Sequence, residues 1–331
     1  MPPRWRLTLL LLGFVSLALG IAGGLARLTP LPVSISALAL HGPLLVSAFF
    51  GTVITLERAA ALDRLWAYAA PMAAALGGVL LLVGLPFEGF VSMALAAAVL
   101  VAANIVVFIR QRSLETGALL AGAAAWLVGN LGLLAGIPAV PWWIAFFGLT
   151  IGAERLARSR HPKGGAGVRL MFLLIASALL VAPLEPRYLG VALALLALWL
   201  FAFDPARATV RQAKLPRYVA VCLLAGYLWL ALGGTLIALS MAYDAALHAI
   251  FVGFVFSVVF AQAPVMLHAL LGVQLAYHPA LYAPLVLLHL SLAVRVAVSA
   301  ELGAWGNAAA IALFILTAAA LVLTRSAVPS R

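Results

Sequence analysis

The chain has 331 residues, of which 66% are hydrophobic and 9% are charged, and its formal net charge is +11 at pH 7. A water-soluble domain of this size could not cover its surface with so few polar groups, so we expect the lipid bilayer as its solvent and main partner. The basic residues fall in alternate loops rather than in one patch, which argues against nucleic acid as a partner, and the lone cysteine excludes an internal disulfide.

The apolar runs of the chain have the length of transmembrane helices, since a bilayer core about 30 Å thick needs roughly 20 apolar residues per helix. The first run is too long for the apolar part of a signal peptide, and we predict that it is retained as a helix. We therefore predict an all-α fold, a polytopic membrane helix bundle of about 12 transmembrane helices that forms a single integral membrane domain over residues 1–331. In chain order the predicted spans are Leu7–Ala26, Ser36–Leu56, Leu65–Leu85, Phe90–Ile109, Thr116–Ala135, Pro141–Ala153, Val168–Leu184, Tyr188–Phe203, Tyr218–Met241, Ala245–Leu271, Leu281–Ser299 and Trp305–Thr324.

The distribution of Lys and Arg predicts the orientation of the bundle. With twelve spans, all of the 20 Lys and Arg residues except Arg27, Arg187 and Arg295 lie on the side of the N-terminus. The positive-inside rule then places both termini in the cytoplasm, and we expect the protein in a bacterial cytoplasmic membrane. The two most basic loops, 155–169 and 207–217, are predicted to meet anionic lipid headgroups.

Two histidines are predicted to lie at similar depths near the outer face. His41 would lie about 8 Å below the outer end of the second span, which is expected to begin near Ser36. His248 would lie slightly above that level, because the tenth span is expected to begin near Asp244. Two imidazoles from different helices at one depth are what a six-coordinate haem requires.

Small residues accompany both histidines and could leave room for a flat macrocycle, with phenylalanines as its walls. The same pattern is also typical of ordinary packing between transmembrane helices, so both interpretations stay open. The small residues are Gly42, Ala48, Gly51, Ala249 and Gly253, and the aromatic ones are Phe251, Phe254 and Phe256.

An arginine within the eleventh span points to an anion near the same level. Arg295 would lie about 6 Å inside the outer end of that span. A haem propionate would supply the negative charge and accept a bidentate contact. The alternatives are a pairing with Asp244 or Glu301, or extension of the side chain to the outer surface. Arg27, at the outer end of the first span, is a second candidate for the propionate.

Two further histidines are candidates for a separate metal. His289 lies near the middle of the eleventh span, at a depth comparable to Gln262. Together with Met266 these residues could bind copper(I) or could form hydrogen bonds among protein groups. His268 lies about 30 Å along the tenth span from His248 and cannot share a metal ion with it.

Two segments resemble haem-bearing helices of known families. Leu40–Gly51 resembles the second helix of haem-copper oxidase subunit I, and Ala246–Ala249, followed by Gly253, is similar to the late helix of the NnrS family. NnrS proteins are twelve-helix membrane proteins that carry haem and copper and are associated with nitric oxide metabolism. The resemblance implies that His41 and His248 are the axial ligands of a low-spin haem b near the periplasmic face.

The same resemblance indicates what the chain lacks. The oxidases bind a second haem through a histidine two residues earlier, where this chain has Ala246, and copper through histidines of helices six and seven, where it has none. An oxygen-reducing haem-copper centre is therefore not expected, and an activity as a membrane oxidoreductase stays open. NnrS relatives also have a histidine near the cytoplasmic end of the late helix, which His268 approximates, so copper at His268 and His289 is a further expectation.

These features leave three classes of function. A haem protein would act in electron transfer with a redox partner, or in nitric oxide response or metabolism. A secondary transporter or channel without a cofactor is the alternative, although no inverted repeat is evident and Glu57, Glu115 and Glu154 are predicted at the cytoplasmic boundary. A structural or assembly factor would have each histidine bonded to a neighbouring protein group.

Overall fold

The structure, a computed structural model, describes residues 3–29, 40–159 and 165–326. Within these ranges the chain is helical and contains no β-strand, which confirms the all-α prediction. Each predicted span overlaps one of twelve long helices. The helices are α1 (Pro3–Ala26), α2 (His41–Leu62), α3 (Leu65–Leu82), α4 (Pro86–Arg110), α5 (Leu114–Ala135), α6 (Val140–Arg158), α7 (Gly165–Leu184), α8 (Pro186–Phe203), α9 (Lys214–Ala238), α10 (Tyr243–Leu271), α11 (Pro279–Ala297) and α12 (Ala300–Ser326).

Eleven helices among the described residues have the length and apolar composition of membrane spans, as expected for a multi-pass membrane protein. The helix outside this group is α6, which carries Glu154, Arg155 and Arg158 near its end. The count of twelve spans and the cytoplasmic position of both termini stay predictions.

The beginning of α2 differs from the expectation. Ser36, where the second span was expected to begin, lies outside the described residues, and the described helix begins at His41. His41 is therefore the first residue of α2 and does not lie several residues inside a helix. The depth of His41 in the bilayer stays a prediction.

The sequence marks several helix ends by known local chemistry. Ser113 and Thr116 form a reciprocal capping box at the start of α5, where the first backbone N–H groups have no partner within the helix. Gly136 and Gly272, which follow α5 and α10, adopt positive φ angles of 70° and 71°, a conformation that costs glycine little.

The chain divides into two compact units. Unit 1 comprises Met1–Glu154 and Leu179–Leu184, and unit 2 comprises Arg155–Ala178 and Glu185–Arg331. The single integral membrane domain expected from the sequence stays a prediction.

A buried hydrogen-bond network joins four helices of unit 1. Asn130 of α5 accepts hydrogen bonds from the Ser47 hydroxyl at 2.6 Å and the Trp143 indole at 3.1 Å, and it donates to the Met93 carbonyl at 3.1 Å. The Trp126 indole donates to Ser47 at 3.3 Å. Because polar groups in an apolar interior are costly unless paired, this network helps to select one packing of the four helices.

Unit 2 contains a buried ion pair. The Arg155 guanidinium binds the Asp204 carboxylate through Nε and through Nη2, the latter at 2.9 Å. Asp204 also accepts hydrogen bonds from the Tyr227 hydroxyl at 2.9 Å and from the backbone N–H of Ala206 at 2.6 Å. The carboxylate is fully buried, so these four contacts replace its hydration.

Candidate functional site

His41 is held against α1 by a hydrogen bond from its ring. Its Nδ1 lies 2.6 Å from the carbonyl oxygen of Gly20. A carbonyl oxygen can only accept, so Nδ1 carries the proton and Nε2 of the neutral ring carries the lone pair. Gly24, one turn further along α1, faces the same ring, and a Cβ atom there would lie 2.6 Å from His41 Cε1. The imidazole thus contacts α1 at two points, the carbonyl oxygen of Gly20 and the Cα side of Gly24.

His248 has the same ring arrangement within unit 2. It is the last residue of the first α-helical segment of α10, Tyr243–His248. Its Nδ1 lies 2.7 Å from the carbonyl oxygen of Asp244, one turn earlier in the same helix. The Asp244 carboxylate is also close, with Oδ2 3.4 Å from Nδ1. Nε2 therefore carries the lone pair in the neutral form of this histidine too.

A π-helical segment of seven residues follows each of these histidines. The segment in α2 is Leu44–Phe50, and the segment in α10 is Ala249–Val255. In α2 it begins directly after Pro43, which has no N–H to continue the α-helical ladder. Because π-helix is rare and is frequently found at functional sites, both histidines stand out from the other helical residues of the chain.

Arg295 pairs with Asp244, which is one of the alternatives that the sequence leaves open. Its Nη2 lies 3.1 Å from Asp244 Oδ2, and its Nη1 lies 3.5 Å from the Ala300 carbonyl oxygen. The Arg295 side chain is only 7% exposed, whereas that of Asp244 is 68% exposed. Nε of Arg295 is buried and has no hydrogen-bond partner among the described residues. The structure thus brings Arg295, Asp244 and His248 together, and the propionate contact stays a prediction.

Arg27 is exposed in the turn that follows α1. It lies three residues after Gly24, which contacts the His41 ring. Its role toward a propionate also stays a prediction.

The small residues beside the histidines serve helix packing. A Cβ atom at Gly51 would lie 2.6 Å from Cζ2 of Trp126, and one at Gly253 would lie 2.4 Å from Cβ of Trp229. Gly42 faces Trp143 at 3.4 Å. At Gly51 and Gly253 the structure therefore favours the packing interpretation, because tryptophan side chains lie against both glycines.

His289 forms a hydrogen bond with another protein side chain. The Trp229 indole donates to His289 Nδ1 at 2.9 Å, and the two rings are nearly parallel, with an angle of 11° between them. The indole N–H can only donate, so Nδ1 accepts and Nε2 of the neutral ring carries the proton, opposite to His41 and His248. His289 Nε2 is buried without a partner in the part of the chain that the structure describes.

His268 lies on the lining of a cavity in unit 2. It is exposed near the end of α10, on a cavity of about 610 Å³. Among the described residues no group of three or more His, Cys, Asp or Glu side chains is arranged to hold a metal ion. Copper at His268 and His289 stays a prediction. The other residues of the cavity are Lys214, Leu215, Pro264, Val265, Gln274, Leu275, Ala276 and Tyr277.

The sequence analysis missed Gly20 and Gly24 as partners of His41. A signal for them was present, since Gly20 and Gly24 form the small-xxx-small pattern that lets transmembrane helices approach closely. The Asp204 ion pair had no comparable signal, because Arg155 and Asp204 are 49 residues apart in the chain.

The comparisons with known proteins define the family of the chain and no more. Residues 6–323 match a family model described as "Domain of unknown function (DUF8744)". No curated protein and no solved structure matches the chain. The resemblance to NnrS proteins and to oxidase subunit I therefore stays a prediction from the two helical segments.

Proposed function

The chain belongs to the DUF8744 family, and from its own residues we propose that it is a haem b-binding membrane protein in which His41 and His248 ligate haem iron. The observation that carries the proposal is the common arrangement of the two imidazoles. Each ring directs Nδ1 to a backbone carbonyl, at 2.6 Å and 2.7 Å, close before a π-helical segment.

This arrangement suits metal ligation for a chemical reason. Histidines that bind metals almost always donate their second ring N–H to a carbonyl or carboxylate, which fixes the tautomer and strengthens the other nitrogen as a ligand. In His41 and His248 that other nitrogen is Nε2, and haem iron accepts imidazole nitrogen as an axial ligand. His289, with the opposite tautomer, is not proposed as a ligand of the haem.

Arg295 supports an anionic group near His248. Its side chain is nearly buried, its carboxylate partner Asp244 is mostly exposed, and its Nε has no partner among the residues described. A haem propionate would accept a charge-assisted hydrogen bond from such a guanidinium. Arg27, in the turn after α1, is the second candidate for this contact.

Electron transfer is the role we propose first. An iron with two axial histidines has no open position, so a gas molecule would bind only after one histidine leaves. The haem would lie near the periplasmic face of the bacterial cytoplasmic membrane, and a redox partner would exchange electrons with it there. Nitric oxide response or metabolism is proposed second and requires a ligand to dissociate.

Visible spectroscopy of the purified full chain, supplied with haem, tests the proposal. We expect a Soret band and sharp α and β bands on reduction, and loss of this low-spin spectrum in both His41→Ala and His248→Ala. His278→Ala is the matched control, because His278 is exposed and its Nδ1 accepts a hydrogen bond from the Ala280 N–H at the start of α11. This variant should keep the wild-type spectrum.

The same measurement can overturn the proposal. A colourless wild-type protein with full thermal stability would favour the transporter or channel alternative. A low-spin spectrum that survives in both His41→Ala and His248→Ala would show that the ligands lie elsewhere in the chain.

A further inference from the structure

We infer that Asp244 is the positioning residue of His248 and that Arg295 holds Asp244 in that role. Asp244 contacts the His248 ring in two ways, since its carbonyl oxygen accepts the hydrogen bond of Nδ1 at 2.7 Å and its carboxylate Oδ2 lies 3.4 Å from the same nitrogen. The effect of this arrangement on a haem rests on the proposed function, whereas its effect on the His248 ring does not.

The carboxylate needs an anchor to act in this way. Asp244 is 68% exposed, and an exposed aspartate side chain is free to change rotamer. The contact of 3.1 Å from Arg295 Nη2 to Asp244 Oδ2 restrains it. Because the Arg295 side chain is only 7% exposed, the restraint comes from a buried guanidinium and is less weakened by water and salt than a surface pair.

Arg295 is itself held by the neighbouring helix. Its Nη1 donates to the Ala300 carbonyl at the start of α12. Gly303, in the next turn of α12, lies so close that a Cβ atom there would be 2.3 Å from Cβ of Arg295. The contacts thus run from α12 through Arg295 and Asp244 to the ring of His248 on α10.

The arrangement has an electronic consequence for a bound haem. A carboxylate near Nδ1–H makes the imidazole a stronger donor at Nε2 and stabilises the ferric state, while the arginine partly neutralises that charge. Asp244→Asn should therefore raise the midpoint potential, and Arg295→Gln should lower it. Arg295→Lys, which keeps the charge, should lie closer to the wild type.

A charge-matched control separates positioning from simple electrostatics. Glu301 is an exposed acid next to Ala300, on the same end of α12. Glu301→Gln removes the same charge as Asp244→Asn. We expect a clearly larger shift of potential for Asp244→Asn, and non-additive shifts in the double variant Asp244→Asn with Arg295→Gln. Equal shifts for Asp244→Asn and Glu301→Gln, with additive effects in the double variant, would overturn the inference.

A second readout needs no haem. In the unloaded full chain with ¹⁵N-labelled histidine, at mildly alkaline pH where imidazoles are neutral, His248 should show the Nδ1–H tautomer. Asp244→Ala keeps the backbone carbonyl that accepts from Nδ1 and removes only Oδ2, so the tautomer should persist while the ¹⁵Nδ1–H resonance of His248 shifts. Glu301→Gln should leave that resonance in place. An unchanged His248 signal in Asp244→Ala would overturn the positioning role whether or not the protein binds haem. Absence of a Soret band in the wild type would instead contradict only the proposed function.

Discussion

Gly24 of α1 lies directly against the imidazole of His41, so that a Cβ atom at position 24 would be 2.6 Å from Cε1 and 2.7 Å from Nδ1 of the ring. No real Cβ atom tolerates such distances, so even the smallest side chain would displace either the ring or the helix. The hydrogen bond from His41 to the Gly20 carbonyl therefore depends on the glycine one turn away.

The first prediction is that Gly24→Ala weakens the fold and displaces His41. Overpacking of a close contact costs about 1–3 kcal/mol, so we expect a lower free energy of unfolding and, in the haem-loaded protein, a reduced low-spin spectrum. Unfolding in detergent and visible spectroscopy measure the two effects. Gly13→Ala is the control on the same helix, because its Cβ would meet Thr52 at an ordinary 3.6 Å. If both variants behaved like the wild type, the close contact between Gly24 and the His41 ring would be contradicted.

The second prediction concerns the buried ion pair of unit 2. Asp204→Ala would remove the carboxylate that pairs with the buried Arg155 guanidinium, which should cost about 3–5 kcal/mol of unfolding free energy. Tyr227→Phe removes one hydrogen bond to the same carboxylate and should cost about 1.5–3 kcal/mol. Thermal unfolding compares both with Glu88→Gln, an exposed acid in the first turn of α4. A loss for Asp204→Ala no larger than that for Glu88→Gln would contradict the prediction.

The third prediction is that Trp229 and His289 are coupled. Replacing only one partner leaves the other polar group buried and unpaired, so Trp229→Phe and His289→Phe should each cost about 1–3 kcal/mol. The double variant should lose clearly less than the sum, because both polar groups are removed together. A double-mutant cycle on unfolding free energies measures this coupling.

Metal analysis of the same variants tests the copper expectation. His289 in its present tautomer binds through neither nitrogen without losing the Trp229 contact or the Nε2 proton. Copper that co-purifies with the wild type and is lost in His289→Phe would show that the tautomer changes on metal binding.

Strict additivity in the double-mutant cycle of Trp229 and His289 would show that the contact between them contributes nothing to the free energy of unfolding.

The helices were largely predictable because their signal is local. The tenth span was expected at Ala245–Leu271 and is found at Tyr243–Leu271, since a run of apolar side chains needs no partner helix to be recognised. α6 shows the limit of that signal, because its charged end leaves it outside the group of apolar spans although it is a regular helix.

The site was predictable in part. Asp244 was one of two acids expected as alternatives to a propionate for Arg295, and the structure selects it at 3.1 Å. The packing partners of Gly51 and Gly253 were not predictable, because a glycine in a sequence does not show which side chain of a neighbouring helix lies against it. Tryptophans from other helices, Trp126 and Trp229, lie against these glycines.

The amino-acid sequence alone determined that the chain forms apolar helices and which side chains could bind a metal. Backbone groups in lipid must be satisfied within each segment, so helix formation follows from composition over about 20 residues. Only the tertiary structure decided that His41 contacts Gly24, that Asp204 neutralises Arg155, and that His289 is bonded to an indole. These contacts depend on how each helix is rotated about its axis, and packing against other helices sets that rotation.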